Sequence, residues 1–179
     1  MNNKNNCLTI KCYLKSNRIC RSTTKNFIPT VLYSKHTSPQ HFFLKNEELR
    51  KINLYVNQYL TLEYEPQEQE IVKFNVLIQE IQIDYLNRNI KHIDFLCVNT
   101  MQNVLSKVPV RLFNNDKPTS KNKFYLHTKY VIIKSLPQDV PVNIMVDVEV
   151  FTDKKRVLLK DLNIQNSHMD SDVLICSTK

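Results

Sequence analysis

Apolar and polar residues alternate along most of this chain with a period of two, the pattern of β-strands buried on one face. In the first half, this pattern predicts strands at residues 27–33 and 41–44, followed by longer strands around residues 71–83 and 92–97. In the second half it predicts strands alone, at residues 108–113, 124–133, 142–150, 156–159 and 172–175. The sequence therefore predicts a mainly β protein with few helices.

One segment has helical rather than strand periodicity. Asn46 is suited to an N-cap, and Leu49, Ile52, Val56 and Tyr59 then fall on one stripe. We expect an amphipathic helix here, whose apolar side covers a sheet.

The strand that begins near residue 71 changes its parity part-way along. Its apolar residues stand at even positions as far as Ile78 and at odd positions from Ile81 to Ile83. Since successive side chains of a strand point to opposite faces, such a switch predicts an extra residue in one strand. We expect a β-bulge at Gln79 and Glu80 that changes the direction of these side chains.

The following strand places a histidine and a carboxylate on one face. His92 and Asp94 alternate with Ile93, Phe95 and Cys97, so the polar pair points away from the apolar face. Such a pair can contact a nucleic acid, form a structural hydrogen bond without a ligand, or begin a metal site. No third metal ligand stands at a recognisable spacing, so no metal is expected.

Composition favours an anionic partner. The 179 residues carry a net charge of +8, and the field of excess lysine and arginine attracts phosphate groups. No apolar run approaches the roughly 20 residues that span a bilayer, so we expect no membrane partner. Nucleic acid is therefore the leading candidate.

The chain contains no glycine, which excludes glycine-rich phosphate loops and the glycine-flanked nucleophile elbow. We find no nucleophile with a base at recognisable spacing, and expect no catalytic residues, no cofactor and no small-molecule substrate. The five cysteines have no Cys-x-x-Cys spacing, which favours a reducing compartment over a disulfide framework. Catalysis is thus not expected.

The periodicity lapses around residues 99–103, where we place a domain boundary. Two domains are predicted, at residues 1–99 and 100–179, and the second of these is all-β. Without glycine, tight turns are expected at asparagine, aspartate, serine and proline.

Several short motifs, taken in order, resemble a known family. The chain resembles the bacterial large-subunit ribosomal protein number twenty-five in its two-domain form, the general stress protein CTC type, whose N-terminal domain binds 5S ribosomal RNA. The matching motifs are Ile28-Pro29-Thr30-Val31-Leu32-Tyr33, Gln79-Glu80-Ile81-Gln82, His92-Ile93-Asp94-Phe95, Val108-Pro109-Val110, Leu136-Pro137-Gln138-Asp139-Val140-Pro141, Met145-Val146-Asp147-Val148 and Leu159-Lys160-Asp161-Leu162.

The resemblance implies an N-terminal β-barrel that binds RNA and carries one or two helices, followed by a smaller all-β domain. The RNA-binding residues that it implies, together with basic residues beside them, are Arg18, Arg21, Lys25, Tyr33, Gln79, Arg88, His92 and Asp94. The chain also departs from the family, because Thr23 and Thr24 stand where arginines are usual and Ser34 replaces a glycine.

We therefore expect a structural constituent of the large ribosomal subunit that binds 5S or large-subunit ribosomal RNA and neighbouring ribosomal proteins. The alternatives are a free regulatory RNA-binding factor and a non-catalytic subunit of an enzyme that processes transfer or ribosomal RNA. The reduced thiols and the lost glycines favour a mitochondrial ribosome, with a bacterial cytoplasm or a plastid as alternatives.

Overall fold

The computed structural model describes residues 8–14, 26–34, 37–66, 70–114, 123–151, 153–164 and 166–178. Within these ranges the secondary structure is mainly β, as predicted. The strands are β1 (Thr9–Leu14), β2 (Phe27–Tyr33), β3 (Gln40–Lys45), β4 (Tyr59–Tyr64), β5 (Val72–Ile83), β6 (Ile90–Cys97), β7 (Val104–Phe113), β8 (Phe124–Leu126), β9 (Tyr130–Ser135), β10 (Ile144–Asp147), β11 (Arg156–Leu158) and β12 (Leu174–Thr178). The described helices are α1 (Asn46–Leu49) and three 3₁₀-helices, Pro137–Asp139, Val148–Phe151 and Leu159–Leu162.

The chain divides into two compact units, Met1–Gln102 and Asn103–Lys179. Whether either unit folds independently as a domain stays a prediction.

The first unit is a closed six-stranded barrel in the order β1-β3-β2-β6-β5-β4, in which β4 also pairs with β1. The pairs β1/β4 and β2/β6 are parallel, and the other four are antiparallel. The alternating residues of every strand fill its interior, where Phe42, Leu62, Ile78 and Phe95 are buried. Closure leaves no unpaired strand edge in the barrel, so no helix is needed to cover an edge of the sheet.

The predicted amphipathic helix is wrong beyond its first turn. It ends at Leu49, its N-cap position is Lys45 rather than Asn46, and no side chain caps it. The chain turns away because Asn57 takes a left-handed backbone conformation (φ 67°) and donates its N–H to the carbonyl of Ile78 at 2.8 Å. Pairing with β5 thus outweighs the weak helical propensity of this segment. No helix among the described residues is long and apolar enough to cross a membrane.

The second unit contains two three-stranded sheets, β10-β7-β9 and β11-β12-β8. Residues of both sheets contribute to one apolar core, which includes Val108, Val131, Val157 and Ile175. The all-β character expected for this part of the chain is therefore present in its described residues.

Two long strands predicted in this unit are interrupted. The segment 124–133 forms two strands in different sheets, because the N–H groups of His127 and Thr128 both bond to the carbonyl of Ile175. The segment 142–150 is a strand only at Ile144–Asp147 and then becomes a 3₁₀-helix, since an Asp147 carboxylate oxygen accepts the N–H of Glu149. Such aspartate side-chain bonds compete with strand pairing.

In the part of this glycine-free chain that the structure describes, asparagine supplies most of the left-handed backbone positions. Among the described residues with positive φ, four are asparagines and one is Arg88. Asparagine tolerates this conformation better than other residues with a Cβ, because its short polar side chain can bond locally. The expectation that asparagine, aspartate, serine and proline make the tight turns stays a prediction, and the described left-handed positions show asparagine in four places and Arg88 in the fifth.

Candidate nucleic-acid interface

The predicted bulge is present in β5. Ile78 pairs with Phe95 and Glu80 pairs with Asp94, so Gln79 is an extra residue without an opposite partner. A second shift follows, because Gln82 pairs with His92 whereas Ile83 pairs with Ile90. Each shift bends the strand and increases its local twist.

Five polar side chains share the outer face of the barrel beside this bulge. Glu80 and Gln82 on β5 lie opposite Asp94 and His92 on β6, and β2 lies on the other side of β6. In the parallel pairing of β2 with β6, Val31 is level with Asp94 and Tyr33 with Leu96, so Tyr33 lies roughly 8 Å from Asp94. We call this set the bulge face: Tyr33, Glu80, Gln82, His92 and Asp94.

His92 and Asp94 contact each other directly. His92 Nε2 lies 2.9 Å from Asp94 Oδ1, and the two side chains are 26% and 21% exposed. That Oδ1 atom is itself buried, and its contact with the imidazole lacks the alignment of a hydrogen bond. The two side chains therefore lie together on the outer face of β6 and remain partly exposed, while Ile93 and Phe95 hold β6 in the core.

The bulge face is not a basic patch. It carries the carboxylates of Glu80 and Asp94, and Gln82 Nε2 donates to Glu80 Oε1 at 3.3 Å. Carboxylates repel phosphates, but they accept hydrogen bonds from base amines and ribose hydroxyls. Such a face is suited to select a ligand rather than to attract it.

Positive charge lies at the exposed Arg88, in the turn between β5 and β6, and at the exposed Lys91, at the start of β6. Lys91 Nζ is 3.4 Å from Asp84 Oδ2. The backbone N–H of Leu86, which bonds to Asp84, and the charge of Lys91 together hold the pKa of the Asp84 carboxyl below its usual range. Asp84 is therefore ionised at neutral pH and fixes this turn.

The structure thus brings together four of the predicted residues, Tyr33, Gln79, His92 and Asp94, and places Arg88 at the adjoining turn. Arg18, Arg21 and Lys25 lie outside the described residues.

The prediction omitted Glu80 and Gln82 from the site. The parity switch contained the necessary signal, because a bulge at Gln79 puts the residues at positions 80 and 82 on the face of Asp94 and His92. In the part of the chain that the structure describes, no group of three His, Cys, Asp or Glu residues could hold a metal ion.

Comparison with known proteins identifies the family. The model of the ribosomal L25p family matches residues 15–95. The large ribosomal subunit protein bL25 of Dictyoglomus thermophilum is 30% identical over 145 residues, which cover 78% of this chain and 70% of that protein. The chain belongs to the ribosomal L25p family.

Two further relatives are also bL25 proteins of the large ribosomal subunit. The bL25 protein of Halalkalibacterium halodurans is 27% identical over 77% of this L25p chain and 64% of its own length. That of Dictyoglomus turgidum is 29% identical over 69% of the chain and 62% of its own length. The match therefore spans less than two thirds of these two proteins.

All three of these L25p relatives are bacterial proteins. They give the predicted mitochondrial location no support, and they favour the bacterial alternative. The resemblance inferred from the ordered motifs is confirmed by the family match.

Proposed function

We propose that this chain is a non-enzymatic structural constituent of a bacterial-type large ribosomal subunit, which binds 5S ribosomal RNA through the bulge face. The observation that carries the proposal is the set of hydrogen-bonding side chains that the bulge gathers on the outside of the barrel. Family membership supports the ribosomal location, because the relatives are named as large-subunit proteins.

The chemistry of the bulge face fits an RNA groove. The wide minor groove of RNA presents 2′-hydroxyl groups and the guanine amino group. The carboxylates of Asp94 and Glu80 can accept hydrogen bonds from these donors. Gln82 offers both a donor and an acceptor, as does Gln79 in the adjoining bulge, and the exposed Tyr33 can stack or donate. The proposed role of the bulge face is therefore to set position and specificity on the RNA.

Affinity has a separate source in this proposal. Phosphate contacts supply a large share of the affinity of nucleic-acid-binding proteins, and they do so without sequence choice. Arg18, Arg21, Lys25 and Arg88 are the proposed phosphate ligands, consistent with the net charge of +8. The second unit is proposed to contact neighbouring large-subunit proteins or ribosomal RNA.

The first test is the RNA partner in a cell that synthesises this protein. Gradient sedimentation should place it with large subunits, and sequencing of crosslinked RNA should place its sites in 5S RNA. Crosslinks confined to large-subunit RNA would support a ribosomal protein with a different ligand. Crosslinks in transfer or messenger RNA, without sedimentation on subunits, would overturn the proposal in favour of a regulator or a processing subunit.

Binding in vitro gives a matched comparison. His92→Ala removes a residue of the bulge face, whereas His127→Ala removes an exposed histidine of the second unit that bonds to Ser177. We expect only the first variant to weaken binding to 5S RNA. Equal affinities for both variants and the wild-type protein would contradict the role of the bulge face.

A further inference from the structure

The turn between β5 and β6 exposes an unusual amount of apolar side chain. Tyr85 is 96% exposed, Leu86 is 93% exposed and Ile83 is 47% exposed. Scattered exposed apolar residues are normal, but several close together at the end of a hairpin form a patch that suits a binding contact. We call residues 83–89 the hairpin tip.

The hairpin tip has a defined conformation. Asp84 donates its N–H to the carbonyl of Asn89 at 2.8 Å, and its carboxylate accepts the N–H of Leu86 at 3.1 Å. Lys91 contacts the same carboxylate, and Arg88 takes a left-handed conformation with φ 53°. The backbone of this turn therefore holds Tyr85 away from the barrel. Binding at Tyr85 would need little further ordering of the backbone, which lowers its entropic cost.

Charge identifies the kind of partner. Arg88 and Lys91 accompany the apolar pair, and the single carboxylate among residues 84–91 is that of Asp84, which Lys91 already contacts. An exposed aromatic ring on the same turn as exposed cations is suited to single-stranded nucleic acid, since bases stack on the ring and cations contact phosphates. An apolar pocket on a protein would require the burial of these cations.

We propose that the hairpin tip stacks Tyr85 on an unpaired base beside the RNA that the bulge face binds. Tyr85 follows Gln82 by three residues, so it lies roughly 10 Å beyond the pair Gln82 and His92 along the hairpin. The base on Tyr85 would therefore lie within a few nucleotides of the RNA that contacts Gln82 and His92. Leu86 packs against the same nucleotide, and Arg88 contacts its phosphate. The proposal rests on the proposed function, because it places the base next to the RNA bound there.

The absence of tryptophan from the chain allows a direct measurement. Tyr85→Trp creates a protein with a single tryptophan at the hairpin tip, and Tyr130→Trp creates the matched control on the exposed face of β9. A bacterial 5S RNA transcript is titrated into each protein. We expect the emission of the tip variant to be quenched by base stacking, whereas the control changes little.

Affinity measurements complement the fluorescence. Tyr85→Ala should weaken binding to the same transcript roughly 5- to 150-fold, the range for loss of one stacked base. Tyr85→Phe should retain binding, because stacking needs the ring and not the hydroxyl. Circular dichroism should show unchanged thermal unfolding, since the side chain is almost fully exposed.

The outcomes separate this inference from the proposed function. If His92→Ala weakens binding while the tip tryptophan is not quenched and Tyr85→Ala binds normally, the tip proposal is wrong and the bulge-face proposal stands. If the tip variant responds only to intact large subunits and not to the transcript, the tip contacts another component of the subunit, either a protein or large-subunit RNA, and the proposed stacking beside the RNA of the bulge face is wrong. If no variant and no wild-type protein binds the transcript, both proposals are wrong.

Discussion

Removing His92 and Asp94 singly and together tests whether they act on RNA as one unit. His92 Nε2 and Asp94 Oδ1 are 2.9 Å apart, so either substitution to alanine disrupts the arrangement of both side chains. A hydrogen bond that involves a charged group is worth about 1.5–3 kcal/mol. Each single variant should therefore lose roughly 10- to 150-fold in affinity for its cognate RNA.

The double variant should lose much less than the product of the two single losses. Side chains in contact show coupling energies of about 0.5–3 kcal/mol in double-mutant cycles. Once His92 is absent, Asp94 has lost the neighbour that orients it, so its own removal costs little more. We expect the double variant to bind about as weakly as the weaker single variant.

The charge of Asp94 makes the direction of the effect informative. A carboxylate about 10 Å from a phosphate opposes binding by about 0.5 kcal/mol after screening by salt. Asp94→Ala should therefore bind a scrambled RNA about twofold more tightly than the wild-type protein does. A loss of affinity for the cognate RNA alone cannot come from net charge and must come from a lost specific contact.

The assay is fluorescence anisotropy with labelled 5S RNA and with a scrambled RNA of equal length, at two salt concentrations. Thermal unfolding of each variant checks that the barrel is intact, and His127→Ala serves as the control. Equal losses on both RNAs would refute specific readout by the pair, and strictly additive losses in the cycle would refute its action as one unit.

Three further predictions concern the bulge, an ion pair and the thiols. Deleting Gln79 restores regular pairing in β5, so thermal unfolding should change little, while 5S RNA binding weakens roughly tenfold or more; unchanged RNA binding would count against a role for the bulge. A hydrogen bond from Lys154, then one from a backbone N–H, holds the pKa of Asp161 below its usual range. Its contribution to stability is therefore present at neutral pH and lost as the pH falls through the lowered value; Asp161→Asn should unfold at a lower temperature at pH 7, and a difference that does not shrink as the solution is acidified through and below the usual range of an aspartate would contradict this assignment. Burial raises the pKa of Cys12 to about 12 and that of Cys176 to about 11, so iodoacetamide at about pH 8 should alkylate them only in denaturant, and rapid labelling of the folded protein would contradict their burial.

The barrel strands and the bulge could be predicted because they depend on local alternation. A parity switch at Gln79 has one simple geometric explanation, an extra residue, and the structure contains it. The shared face of His92 and Asp94 follows from the same period of two. These features need no knowledge of which strands are neighbours in space.

The predictions that were wrong concern features that depend on residues distant in the sequence. The helix after Asn46 was predicted from a stripe of apolar residues, yet Ile78 draws residues 57 and 58 into pairing with β5. Ile83 was expected on the side of Ile81, but the second register shift leaves it half exposed. The exposure of Tyr85 was equally hidden, because an apolar residue beside a strand has the same pattern whether it is buried or displayed.

The two register shifts together explain why the candidate site lies where it does. The first leaves Gln79 unpaired on β5, and the second leaves Lys91 unpaired on β6. Between them only three regular pairs remain, which are Glu80 with Asp94, Ile81 with Ile93, and Gln82 with His92. The middle pair faces the core and anchors the segment.

Each bulge adds twist, so this three-pair segment is turned relative to the strand on either side of it. One extra residue on each strand leaves the total count balanced, and the hairpin can close with its tip projecting from the barrel. The same two irregularities therefore orient the outer pairs of the bulge face and expose Tyr85 at its end. It follows that the deletion of Gln79, although it simplifies the strand, should disturb both contacts with RNA at once.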